Sequence, residues 1–429
     1  MSSPPVPPSL TETERGFLAP PSADLSADHV LLDYLFETDD DPLKAALHLC
    51  REQSTALWNR PGVDEDYRPR HAAKLVDLKA LEPRPGSRSP RRARMRVAHP
   101  EINFGPRIPN LLTVACGEGA YFTPRIDVIR LEDIHFSAGF LAAFQGPRFG
   151  LHGVRELLGL QGRPIITGVI KPNIGLAIEP FAQIGYEGLR GGADIVKDDE
   201  MLADPPYSPI RERAPRVLEL TARAASETGE GKLFIANITD EVENLIPLHD
   251  FVHQSGGRHA AVMLNAWCVG LSACRMVARN ARVPLVSHFD FIAAFTRVPW
   301  HGVSELASTR LLRLAGFDMI IMPGLGGRMH QSHEEVLDSM RACLEPWGDI
   351  KPSLPIPGGS DWAGSLKPML DTIGHTDFSI VCGRGIFGHP DGPAAGARSV
   401  REAWEAIQAG LDPATAAFPA LRRAWEAFG

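Results

Sequence analysis

Gly191-Gly-Ala-Asp-Ile-Val-Lys-Asp-Asp-Glu200 decides the fold. Residues 194–197 form a short, largely apolar run after two glycines, and the stretch ends in four consecutive charges, Lys197 to Glu200. A short apolar run followed by an amphipathic helical stretch is the pattern of a strand buried on both faces of a parallel sheet. Outward from it the pattern recurs at 164–170, 233–237, 261–265, 284–288, 319–322, 354–357 and 378–382, giving eight runs in all. Eight such units in about 250 residues is the size of a (β/α)₈ barrel. A doubly wound sheet is the alternative, but it does not need eight repeats. The residues that end these runs are Lys171, Lys197 to Glu200, Asn237, Asn265, His288, Gly324, Gly358-Gly359 and Gly383-Arg384-Gly385. That end of a barrel carries the active site. Caps of the following helices would explain some of them, but polar or glycine residues on all eight are harder to assign to caps alone.

Upstream the rhythm differs. Residues 28–37 and 74–81 alternate like strands, as do 94–99; 41–53 reads as a helix and 110–116 as a helix or strand. The expected organisation is a flexible N-terminal tail over 1–27, an α+β domain over 28–145 and the barrel over 146–429. The 429 residues, 44% hydrophobic and 22% charged, suit a globular chain of two or three domains. A net charge of −8 argues against nucleic acid or an anionic membrane as partner. The basic run 84–96 is read as a solvated loop or strand face, with a nucleic-acid patch as the alternative. Six scattered cysteines without a CxxC pair fit a reducing cytoplasm rather than a disulfide scaffold or zinc site. No apolar run reaches the roughly 18 residues of a membrane span, and no signal peptide opens the sequence.

Asp199 and Glu200 are hard oxygen donors suited to Mg²⁺. Lys197 could join them only if carbamylated by CO₂, which turns a cation into an anionic oxygen ligand. A solvated charge cluster at a helix start is the competing reading. Lys171, in Val169-Ile-Lys-Pro-Asn-Ile-Gly175, stands at the barrel mouth as a candidate general base; alone, it would more often be a surface residue. Gly383-Arg384-Gly385 and Gly358-Gly359 stand where barrels commonly bind phosphate.

Taken together, these motifs resemble the RuBisCO large-subunit family. Residues 168–176 (GVIKPNIGL) are similar to the family's segment after strand one, 191–200 (GGADIVKDDE) to its carbamylated-lysine metal segment, and 383–392 (GRGIFGHPDG) to its phosphate-binding segment. Residues 52–58 (EQSTALW) are similar to the small-domain segment that reaches a neighbouring subunit's active site. The resemblance implies an α/β chain: an N-terminal α+β (ferredoxin-like) domain, a C-terminal TIM barrel with C-terminal helices, and a homodimer with interfacial active sites. It implies Mg²⁺ on carbamylated Lys197, Asp199 and Glu200, with Lys171 as enolisation base or acid. His288 would approach the substrate. Gly358, Gly359, Gly383 and Gly385 would hold phosphate, with Arg384 beside them, and Glu52, Trp58 and Glu118 would come from the partner.

The departures carry as much meaning. A carboxylating RuBisCO has Lys where this sequence has Asn173, Arg at Phe289, His at Ile321, Lys at Arg328, Ser at Pro357, Asn at Glu118 and Thr at Leu57. The metal, a base and one phosphate site are kept, while cations for a second phosphate and for CO₂ addition are lost. This is the pattern of the RuBisCO-like proteins, form IV, and the expectation is no CO₂ fixation. It implies enolisation or decarboxylation of a phosphorylated keto sugar acid, with a decarboxylase or transcarboxylase/hydrolase of 3-oxo-isoapionate 4-phosphate as the preferred assignment. An enolase or isomerase of methylthioribulose phosphate-type substrates is the alternative, and a non-catalytic scaffold or regulatory binder is the reading of a different class.

Overall fold

A strand that is apolar on both faces must be covered on both, whereas one that alternates needs covering on one. The chain obeys this division. The computed structural model describes residues 10–21, 24–56 and 68–429, and they fall into two compact units, 1–144 with 293–311 and 347–350, and 145–292 with 312–346 and 351–429.

The first unit is built on four antiparallel strands: β1 (His29–Thr38), β2 (Lys74–Leu81), β3 (Arg91–Pro100) and β4 (Val128–His135). They are ordered β4-β1-β3-β2, and a short strand, Gly302–Val303, is added in parallel to β4. The helix Pro42–Glu52 connects β1 to β2; Asp41 caps it by accepting the Leu43 and Lys44 N–H groups, and Pro42 supplies a helical φ at its first position. Residues 110–116, open between helix and strand in the sequence, belong to the helix Ile108–Ala115 and its C-cap, Cys116. Three of the six arginines in the basic run are spent on acids within this sheet. Arg96 grips Asp33 at 2.6 and 2.7 Å, Arg94 grips Glu132 at 2.7 Å, and Arg84 grips Glu37 at 2.7 and 2.9 Å.

One expectation needs correcting here. Part of the segment read as a flexible tail is folded. Thr11 and Glu14 form a capping box on the helix Glu12–Arg15, Leu10 and Phe17 are buried, and Phe17 accepts the Leu75 N–H at 2.8 Å. Two apolar side chains anchor residues 10–21 of that segment.

The second unit contains the eight barrel strands. In order they are Ile165–Val169, Ile195–Lys197, Leu233–Asn237, Ala260–Asn265, Leu285–His288, Met319–Pro323, Leu354–Gly358 and Ser379–Cys382. All ladders are parallel, and every strand residue from Leu233 to Asn237 and from Ala260 to Asn265 is buried. The first strand pairs with both the second and the eighth, and the ladder runs on to the seventh. The seventh and eighth strands lie side by side without ladder hydrogen bonds. Ile165, Ile195, Ile235, Met263, Val286, Ile321 and Ile356 fill the interior. The helix Gly150–Leu158 adds Leu151, Val154 and Leu158 to that core. Its start is tied to the N-terminal ends of strands five and six. Asp318 accepts the Phe149 and Gly150 N–H groups at 2.6 and 2.7 Å and the Leu285 N–H at 2.8 Å. Among the described residues, no helix is long and apolar enough to cross a membrane.

Candidate active site

The second strand ends at Lys197, whose ammonium is almost wholly buried. Its Nζ donates to the Asp198 carbonyl at 2.8 Å and to Glu200 Oε2 at 3.2 Å. Asp198 turns the other way. It is fully buried against Arg213, 3.1–3.2 Å away, and accepts the Asn237 N–H at 2.9 Å. Burial pushes the Asp198 carboxyl up, and Arg213 opposes it. Asn237 and Asn265, at the ends of strands three and four, donate their Nδ2 groups to the Glu200 carbonyl at 2.9 and 3.0 Å. This second layer pins the charged turn from beneath.

Above it, Lys171 Nζ donates to Asp199 Oδ2 at 2.7 Å. His288 Nε2 lies 3.3 Å from Glu200 Oε2, and its Nδ1 lies 3.5 Å from Asp290. Burial raises the Glu200 pKa, but Lys197 and His288 outweigh it and hold the carboxyl at about 2. The His288 ring lies flat against Phe289, with centroids 4.7 Å apart and planes 18° apart.

These groups form one end of a cavity of about 630 Å³. It is lined by Lys171, Lys197, Glu200, His288, Arg328, Gly358, Gly359, Gly383, Arg384 and Gly385, so ten of the residues singled out from sequence converge. Asp199 reaches it through Lys171. Phe289, Ile321, Val381 and Met329 supply apolar wall. Arg328 donates to Ser360 Oγ at 2.7 Å, and Ser360 holds a left-handed φ of 69°. Asn173 lies in the loop after strand one but is not among the lining residues. Glu52 and Glu118 belong to the first unit, where Gly119 passes so close to Glu52 that a Cβ on it would stand 2.9 Å from the Glu52 Cβ. Trp58 and Leu57 lie outside the described residues.

The glycine turns differ in one respect from a simple backbone nest. The Gly359 N–H is already given to Asp361 Oδ2 at 3.1 Å, so it is not free for phosphate. Asp361 is buried, which pushes its carboxyl up to about 6 against that hydrogen bond. Gly385 has a packing reason to lack a side chain: a Cβ there would sit 2.6 Å from the Asp361 carbonyl.

The sequence reading missed Arg213, Asp290, Trp362 and Phe428. Arg213 lies in the first turn of the long helix Ile210–Thr228 with no local signal. Phe428 reaches the cavity from the helix Pro419–Phe428, far along the chain from every motif. Trp362, four residues past the seventh strand, was within reach of the strand-end rule.

Residues 150–428 match the family model of the ribulose bisphosphate carboxylase large chain, catalytic domain. The chain belongs to the RuBisCO large-chain family. It is 54% identical over 420 residues to ribulose bisphosphate carboxylase-like protein 2 of Rhodopseudomonas palustris, covering 95% of this chain and 96% of that one. Among solved structures, a rubisco-like protein from Burkholderia fungorum superimposes with a TM-score of 0.84 at 33% identity, covering 94% and 100% of the two chains. The dimeric archaeal Rubisco from Hyperthermus butylicus gives 0.86 at 30% identity, covering 97% and 100%. This RuBisCO-family chain thus pairs the family's barrel with an antiparallel-sheet unit, as the sequence led one to expect.

Proposed function

We propose that this RuBisCO-like chain is a Mg²⁺-dependent enzyme that forms an enolate from a phosphorylated keto sugar acid by enolisation or decarboxylation and fixes no CO₂. The observation that carries the reading is the division of charge in one cavity. Lys171–Asp199 and Lys197–Glu200 gather at one end, while Arg328 and Arg384 have no acid partner among the described residues.

The donor set fits Mg²⁺. Asp199 and Glu200 offer hard carboxylate oxygens, and Lys197 Nζ lies 3.2 Å from Glu200, where a carbamate on it would add a third oxygen donor. Bound there, Mg²⁺ would polarise the substrate's keto oxygen and make its α-proton acidic. Lys171 is the residue that moves that proton. Asp199 holds its Nζ at the cavity wall until the substrate arrives. His288, fixed flat against Phe289, faces the reacting end of the substrate. Arg328 and Arg384, with the turns at Gly358 and Gly383–Gly385, take the single phosphate.

Phe289 and Ile321 stand on the cavity wall where a carboxylating enzyme needs Arg and His. A phosphate dianion buried against them without pairing would cost several kcal/mol. A monophosphate such as 3-oxo-isoapionate 4-phosphate leaves that wall free of charge. The same apolar wall favours a second reading, an enolase or isomerase whose methylthio-bearing sugar phosphate places its thioether there. Because a relative of this fold is described as a dimer, the reading includes a homodimer in which Glu52, Trp58 and Glu118 complete the partner's site. Isotope exchange at the α-carbon in D₂O, run with Mg²⁺ over phosphorylated keto sugars and keto acids, tests the reading. Exchange that persists in excess chelator, or that no phosphorylated keto compound supports, would refute it.

A further inference from the structure

We propose that Phe428 is a positioning residue that holds the Arg384 guanidinium ready to grip the oxyanion of a phosphate monoester. This rests on the phosphorylated-substrate reading above and deepens it by naming the grip. Arg384 is the one side chain that its turn can send into the cavity. A Cβ on Gly383 would stand 3.0 Å from Lys171 Cε, and one on Gly385 would stand 2.6 Å from both the Asp361 carbonyl and Trp362 Cα. A Cβ on Gly388 would stand 3.2 Å from Arg384 Cγ, so the absence of a side chain there leaves room for the arginine stem.

No acid neutralises Arg384 among the described residues. Its guanidinium carbon instead lies 5.1 Å from the Phe428 ring centroid. An aromatic face attracts a cation without cancelling its charge. A carboxylate partner does cancel it, as Asp194 does for the buried Arg163 at 2.6 Å. A stacked guanidinium also keeps its planar fork of donors free for two oxygens of a phosphate.

Phe428 is itself braced. It meets Trp362 edge to face at 5.9 Å and 63°, and Trp362 meets Trp425 at 4.7 Å and 74°. Trp362 and Phe428 both line the cavity. The helix Pro419–Phe428 therefore supplies the surface on which the cation rests.

Calorimetry of inorganic phosphate binding to the full chain tests the grip, with sulfate as a second probe. Phe428→Leu should weaken phosphate about two- to five-fold, the range set by one partly exposed cation–aromatic contact, and Phe428→Trp should restore it. In an Arg384→Gln background, Phe428→Leu should cause no further loss, because there is no cation left to position. Wild-type binding by Phe428→Leu, or an equal loss in both backgrounds, overturns the grip while leaving the phosphate reading in place. A wild-type chain that binds neither phosphate nor sulfate overturns that reading, and the grip with it.

Discussion

Arg213→Met should destabilise the barrel unit by about 3–5 kcal/mol, the cost of removing one partner of a buried ion pair. Both side chains are fully buried. Arg213 makes two contacts with Asp198, at 3.2 and 3.1 Å, and donates to the Ala203 carbonyl at 2.7 Å and to the Ser208 carbonyl. Methionine fills much of the stem volume, so packing changes little and the loss is electrostatic. The remaining carboxylate keeps one hydrogen bond, from the Asn237 N–H at 2.9 Å, and the weaker attraction of Lys197, too little for a charge removed from water. Burial already pushes the Asp198 pKa up, and without Arg213 it should rise further. A carboxyl whose folded pKa lies above its unfolded value binds a proton more readily in the folded state. The deficit of the variant should therefore shrink as pH falls. Arg213→Met/Asp198→Asn should be more stable than Arg213→Met, since it removes the orphaned charge. Urea titration followed by tryptophan emission at two pH values measures all three. A loss below about 1 kcal/mol, or a double variant weaker than the single one, would refute the reasoning.

Three further outcomes are expected. Lys197→Ala and Glu200→Gln should abolish Mg²⁺-dependent turnover with the circular dichroism spectrum retained; full turnover in excess chelator would contradict the metal assignment. The purified chain should form no 3-phosphoglycerate from ribulose 1,5-bisphosphate and radiolabelled CO₂, and measurable product would overturn the non-carboxylating reading. His99 is fully buried, and that burial, with a small push from His29, holds its pKa down at about 3. The folded chain thus refuses a proton that the unfolded chain accepts below about 6.5, so stability falls as pH falls from about 6.5 toward 3. At 1.36 kcal/mol per unit the loss is about 2 kcal/mol by pH 5. His99→Phe should remove it, and an unchanged acid slope in denaturant titrations would count against this account.

Much of this was legible because burial on both faces leaves a plain mark. The eight apolar runs became eight strands, and the polar residues ending them converge on one cavity because parallel strands of a barrel all finish at the same end. The first unit was readable where alternation was clean, as at the start of β1, and ambiguous at 110–116, where a short apolar run carried no decisive period. Partnerships were not legible. Nothing near Arg213 announces that it neutralises Asp198 across 15 residues, and nothing near Phe428 announces Arg384. The spending of the Gly359 N–H on Asp361 was equally hidden, because a glycine pair looks the same whether its amides are free or taken.

The unlaced edge between the seventh and eighth strands makes the barrel a split ring rather than a hoop. A hoop can widen only by tearing a hydrogen-bonded ladder, whereas a split ring can flex at its gap against side-chain packing alone, here Val381 beside Gly358. Ser360, which holds Arg328, follows one lip of the gap, and Arg384 follows the other. A phosphate seated between them would act as a clasp, fastening in the bound state the one joint that the backbone leaves open.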